Sequence, residues 1–179
     1  MDDREILDKF KNEQSRNLAF NQLIRKYQER IYWHIRKMVI DHDDANDITQ
    51  DTFIKAFKGL SAFREESQLF TWLYRIATNE CLNFLNKKKR KLLFSLDNLE
   101  NQLLNKLESS TNLDGDFIQM KLQKALLTLP EKQRLVFNMK YFDEMKYEDI
   151  SSVLNTSVGA LKASYHHAVK KIELSLNED

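Results

Sequence analysis

Glycine and proline are scarce, three Gly and one Pro in 179 residues. Tight hairpin turns draw on Gly, so a sheet-rich fold has little to turn on. The single cysteine, Cys81, excludes an internal disulfide framework and is expected to pack as a small apolar side chain. No apolar run approaches the roughly 18 residues that span a bilayer. The start, Met1-Asp2-Asp3-Arg4-Glu5, is acidic and has no apolar core behind it, unlike a signal peptide. A soluble, cytoplasmic chain is expected, with no direct membrane insertion. A Gly-rich phosphate loop and a nucleophile motif are missing. His34 and His42 stand eight positions apart without a third metal ligand, and Asp41-His42-Asp43-Asp44 suits helix capping better than a metal. No enzyme activity, cofactor or metal is expected.

What is present is a globular balance, 42% hydrophobic and 31% charged, rich in helix-forming residues. The formal net charge is only +1. A protein that holds DNA unaided usually carries a strong basic excess. Here the basic charge is local: Lys87, Lys88, Lys89, Arg90 and Lys91 run unbroken, and Lys162, Lys170 and Lys171 lie near the end. Acidic residues gather at Asp41, Asp43, Asp44, Asp47 and Asp51. The asymmetry predicts two kinds of partner, one polyanionic and one basic.

Apolar spacing predicts an all-α chain of two small helical domains joined by a flexible linker. Leu23, Tyr27, Ile31, Ile35 and Met38 form one helical stripe. A second helix, from about Asp44 to Leu60, buries Ala45, Ile48, Phe53 or Thr52, Ala56 and Leu60, and leaves Asp47, Gln50, Asp51 and Lys58 on another side. A third, from Gln68 to about Arg90 with Ser67 as cap, has Leu69, Leu73, Ile76, Ala77 and Phe84 inside. Residues 1–91 make the first domain. Residues 92–116, rich in Asn, Ser, Asp and Glu, read as the linker, with a short helix at Leu99 to Leu107. The second domain is 117–179. Its stripe is Ile118, Leu122, Ala125, Leu126 and Leu129, Pro130 starts the next helix, and Leu135, Val136 and Met139 continue the core.

Tyr147 to Leu154, the turn Asn155-Thr156-Ser157, and Val158 to Ile172 have the proportions of a helix-turn-helix. Ile150, Val153, Leu154, Val158, Leu161 and Tyr165 would lock its helices together. Ala160, Lys162, Ala163, Ser164, His166, His167 and Lys170 would face outward. The plainer reading of this segment alone is a helical hairpin packed on a protein.

Several motifs in order resemble the bacterial sigma-70 family, in its small extracytoplasmic-function (ECF) subfamily. Ala45-Asn46-Asp47-Ile48-Thr49-Gln50-Asp51-Thr52-Phe53 resembles the region 2 helix. Phe63-Arg64-Glu65-Glu66-Ser67, followed by Thr71 to Glu80, looks like the promoter-melting part. Leu129 to Arg134, Tyr147 to Ile150 and Ser157 to Lys162 are similar to region 4. The resemblance runs from about Leu18 to Ile172.

It implies that Asp47, Gln50 and Asp51 bind a coiled coil of the largest subunit of core RNA polymerase. Carboxylates one turn apart on an exposed face suit arginines on a partner helix. It implies that Phe63, Arg64, Ser67, Trp72, Arg75, Asn79, Asn83, Lys87 and Lys88 meet the single-stranded −10 element. Asn side chains can read base edges, aromatic rings can stack on bases, and cations hold phosphates. For Trp72, core packing is the competing role. It implies that Ser157, Ala160, Lys162, Ala163, Ser164, His166, His167 and Lys170 meet the duplex −35 element, with the polymerase flap as a further partner of this lobe. The family commonly has Thr at position 160 and Arg at positions 164 and 167, so this chain offers fewer cations there. An anti-sigma factor is also implied. An autonomous helix-turn-helix regulator is the main competing function, and a helical protein-binding adaptor the second.

Overall fold

The computed structural model describes residues 2–92, 98–109 and 117–177, without the side chains of residues 117 and 118. The described residues contain nine α-helices and no strand. The remaining linker residues, including 110–116, and the expected Ile118 contact lie outside what is described.

Helix α1 (Asp3–Lys11) was not expected. Asp2 caps it, accepting from the Glu5 amide at 2.7 Å, and Ile6, Leu7 and Phe10 are buried against α2. Its three apolar residues fall on one face, but nine residues are fewer than the window over which such a period is read. The helix holds because it covers α2 (Arg16–Val39), whose inner stripe is the predicted one. Leu23, Ile31, Ile35 and Met38 are fully enclosed.

Helix α3 (His42–Gly59) begins where the acidic run predicts. Asp41 accepts from the Asp44 amide at 2.9 Å, occupying an orphan donor of the first turn. Ala45, Ile48, Thr52, Phe53, Ala56 and Leu60 are all buried. A single 3₁₀ turn (Leu60–Ala62) leads into an exposed loop, and α4 (Leu69–Leu92) follows. The Trp72 amide bonds to the Gln68 carbonyl. No hydrogen bond of the Ser67 hydroxyl is found among the described residues, so the expected Ser67 cap is not formed.

The inner faces of α4 depart from expectation. Leu69, Leu73 and Ala77 are buried as predicted, whereas Ile76 and Phe84 are half-buried. A further set of buried residues, Thr71, Tyr74, Thr78 and Leu85, was missed, while Cys81 is buried as expected. Part of this set faces the second lobe: α8 packs on α4, and Thr71 Oγ1 lies 3.3 Å from Asp149 Oδ1. Cys81 is 1% exposed, and burial pushes its thiol up to about 12, as suits a packing residue.

Within the linker, α5 (Leu99–Ser109) matches the expected short helix. It is docked: Leu99, Leu103 and Leu107 are buried, and Lys106 Nζ reaches Asp41 at 2.8 Å and Asp44 at 3.2 Å. The second lobe comprises α6 (Phe117–Leu127), α7 (Glu131–Phe137), a π-helical turn (Asn138–Phe142), α8 (Tyr147–Leu154) and α9 (Val158–Asn177). Helix α9 runs five residues past its expected end at Ile172. Two apolar clusters result. One joins α1–α5 to Leu127, Leu135, Val136, Met139, Ile150 and Val153. The other, around Ala125, Leu126, Phe137, Ala168 and Ile172, is internal to the second lobe.

Candidate nucleic-acid interface and acidic face

The acidic face is built by the period of α3. Its apolar residues occupy one side, which places Asp47, Gln50 and Asp51 on the opposite, exposed side. The side chains expected to act together therefore share one surface. Ile54 continues this surface at 53% exposed. Beside it, Phe20, Ile24, Phe53, Ile54 and Phe57 line a groove of about 510 Å³ between α2 and α3 that also includes Gln50. The sequence reading missed this groove. The available signal was Ile54 and Phe57, apolar residues outside the buried stripe of α3.

Arg75, Asn79, Asn83 and Lys87 recur every four residues on α4, and all four are exposed. They form one slanting stripe of cations and amides. The loop before it holds Phe63 half-buried, Arg64 exposed and Ser67 half-buried. Glu65 sits there at φ 57°, an unusual conformation for a residue with a Cβ. Trp72 is half-buried. Its ring lies 5.2 Å from that of Phe63, and a Cβ added at Gly59 would stand 3.3 Å from it. The packing role raised for Trp72 is thus observed.

The basic run divides. Lys87, Arg90 and Lys91 are exposed, but Lys88 Nζ binds Asp44 at 2.6 Å and lies 4.6 Å from the centre of the Phe84 ring. Lys89 binds Glu131 of α7 at 2.7 Å. Lys88 is therefore occupied inside the protein in this conformation, against the expectation that it waits for a phosphate. The cause is the acidic N-terminus of α3, which lies against the end of α4.

The helix-turn-helix forms as predicted. Asn155 makes the reversal with left-handed backbone at φ 49° and ψ 49°. Ser157 caps α9 by accepting from the Ala160 amide at 3.3 Å. Ile150, Val153 and Leu161 are buried between the helices, with Leu154, Val158 and Tyr165 half-buried. Ser157, Ala160, Lys162, Ala163, His166, His167 and Lys170 are exposed. Ser164 is half-buried, a correction to its outward placement: it lies beside Tyr165 on the flank where α9 turns inward. Lys162 Nζ rests 5.7 Å from the centre of the Tyr147 ring. Among the described residues, no His/Cys/Asp/Glu group has the arrangement of a metal site. No described helix is long and apolar enough to cross a membrane.

Two family models match, sigma-70 region 2 over residues 23–91 and sigma-70 region 4 over residues 119–172. The RNA polymerase sigma-H factor of Pseudomonas aeruginosa is 32% identical over 166 residues, 88% of this chain and 86% of that protein. The ECF RNA polymerase sigma factor SigW of Bacillus subtilis is 29% identical, covering 89% of this chain and 90% of its own. Two solved structures share the fold. One is the sigma factor RpoE of Bartonella quintana in complex with the anti-sigma factor NepR. It has a TM-score of 0.72 at 23% identity, over 89% of this chain and 98% of that one. The other is CnrH in complex with the cytosolic domain of CnrY. It has a TM-score of 0.71 at 22% identity, over 99% and 98%. The chain belongs to the sigma-70 family of RNA polymerase sigma factors, within its extracytoplasmic-function group.

Proposed function

We propose a division of labour for a chain whose family role, as an alternative sigma factor, is to direct RNA polymerase to promoters. Residues 1–91 bind core polymerase and open the −10 element. Residues 92–116 link the lobes, and residues 117–179 anchor the duplex −35 element and meet the flap. Asp47, Gln50 and Asp51 address the largest-subunit coiled coil. Arg75, Asn79, Asn83 and Lys87 address the opened strand, above a floor of Phe63, Arg64, Ser67 and Trp72. Lys88 joins them only after releasing Asp44. Ala160, Lys162, Ala163, His166, His167 and Lys170 face the major groove, with Ser157 and Ser164 at its border.

The observation that carries this reading is the pair of exposed faces on adjacent helices, an acidic one on α3 and a cation–amide stripe on α4. Helices holding only their own lobe together would not need side chains of these types in these registers. The near-neutral net charge fits a DNA-binding protein whose grip is shared with polymerase. Polymerase performs the chemistry, and the site for action is the cytoplasm. An anti-sigma factor that covers these faces is the expected regulator.

Run-off transcription with purified core polymerase tests the reading. Start sites that appear only with both components support it. Tight duplex binding by the chain alone, without polymerase-dependent initiation, would instead favour an autonomous regulator.

A further inference from the structure

Helix α4 carries one acidic residue in 24, Glu80. An acid is out of place beside a surface meant for a polyanion. Glu80 follows Asn79 directly and stands three residues before Asn83. Side chains three apart on a helix are neighbours, with Cβ atoms about 5–6 Å apart. Glu80 therefore borders the stripe of Arg75, Asn79, Asn83 and Lys87 that the proposed function gives to the opened strand.

The carboxylate does not stand alone. Glu80 Oε1 accepts from Lys55 Nζ, which reaches over from α3. The Glu80 side chain is 16% exposed and that of Lys55 54%, so the acid is drawn in against α3 with the cation outside it. Lys55 has a nearer choice in sequence. Asp51 lies one turn earlier on the same helix, an ordinary spacing for a helix ion pair. The bond goes instead to Glu80, and among the described residues Asp51 has no ion-pair partner. One pairing thus serves both faces. It leaves Asp51 open on the acidic face and withdraws the acid from the stripe.

Magnitudes decide whether this matters. A bare carboxylate about 8 Å from a phosphate changes an equilibrium constant by about 2-fold in water and about 30-fold at a surface dielectric near 20. Salt screens over about 8–10 Å and favours the lower end. A cation in direct contact with the carboxylate cancels most of this. Near the start of α3 the trade is reversed: Asp44 withdraws a cation, Lys88, from α4. Helix α3 sets part of the charge that α4 offers.

We infer that Lys55 is a positioning residue for promoter opening. It neutralises Glu80 and holds it against α3, so the stripe on α4 meets the strand with cations and amides and no uncompensated acid. Lys55 acts through Glu80 and not by touching DNA. The inference rests on the assignment of α4 to the opened strand, and adds to it a residue of the neighbouring helix.

The test is permanganate reactivity of −10 thymines in complexes of core polymerase, the full chain and a promoter located by its run-off start site. Reactivity is taken per bound complex, so polymerase affinity does not enter. Lys55→Met should lower the ratio of open to closed complexes at least about threefold. Adding Glu80→Gln should restore it to within about 1.5-fold of the parent, although the ion pair is still absent. Glu80→Gln alone should stay at or above the parent, and Lys55→Arg, which keeps the charge, should match it. A mere tie between α3 and α4 predicts loss in all three variants that break the pair. A phosphate contact by Lys55 predicts a loss that Glu80→Gln leaves in place. Either pattern, or an unchanged ratio in Lys55→Met, would overturn the inference. Asn79→Ala with Asn83→Ala, in the same assay, separates the two levels. If that variant lowers the ratio and Lys55→Met does not, only the role of Lys55 falls. If neither does, the strand does not run along α4, and the underlying assignment falls as well.

Discussion

Replacing Asp41 tests how the first lobe ties the linker helix α5 to the start of α3. Its carboxylate does two jobs, accepting from the Asp44 amide at 2.9 Å and from Lys106 of α5 at 2.8 Å. Loss of an N-cap costs about 1 kcal/mol. The Lys106 pair is partly exposed, with side chains 37% and 28% accessible, so solvent screening limits it to about 0.2–0.5 kcal/mol. Asp41→Ala should therefore cost about 1–2 kcal/mol. For a chain of this size that lowers the melting temperature by about 3–6 °C. Asp41→Asn keeps a capping oxygen and should lose only about a third of that.

The pH dependence has a definite sign. The Asp44 amide, then Lys106, hold the Asp41 carboxyl below its ordinary range, outweighing burial, with smaller help from the charges of Lys106 and Lys88. A depressed carboxyl pKa stabilises above the unfolded value, about 3.9, and that contribution fades as pH falls through the folded value. The gap between the parent and Asp41→Asn should thus be full at pH 7 and close in the acid range. Thermal melts followed by circular dichroism from pH 7 to pH 3 measure it. Melting of Asp41→Ala within 1 °C of the parent at pH 7, or a gap independent of pH, would refute the reasoning.

Two further substitutions probe separate elements. Leu103→Ala, at a position 2% exposed on α5, should cost about 2–5 kcal/mol and lower melting by about 4 °C or more; an unchanged melt would mean α5 is not docked. Asp51→Lys, on an exposed site, should leave stability within about 0.5 kcal/mol and weaken core-polymerase binding at least tenfold; a retained affinity in a binding titration would displace the interface from α3.

The parts legible in the sequence are those whose cause is local. Asp41 capping α3, Ser157 capping α9, and the enclosure of Leu23, Ile31 and Ile35 follow from neighbours within a few turns. So does the exposure of Asn79 and Asn83, set by the helical period. What escaped was long-range. Tyr74, Thr78 and Leu85 look like ordinary helix residues until α8 and its neighbours pack beside them. Lys88 reads as a free cation because Asp44, forty-four positions earlier, has no sequence mark of contact. Asp143 is one acid among many until the chain closes on His34, more than a hundred residues away. The groove beside Gln50 required two helices to meet.

The assignment of α4 to the opened strand is the centre of this account, and permanganate footprinting of a reconstituted promoter complex tests it most directly. Asn79→Ala with Asn83→Ala changes two exposed residues, so folding and polymerase affinity should stay within about twofold of the parent. Reactive thymines in the −10 region should fall at least fivefold, the lower end of what a lost base contact worth about 1–3 kcal/mol produces. Undiminished reactivity in a complex that still contains the doubly substituted protein would contradict the claim.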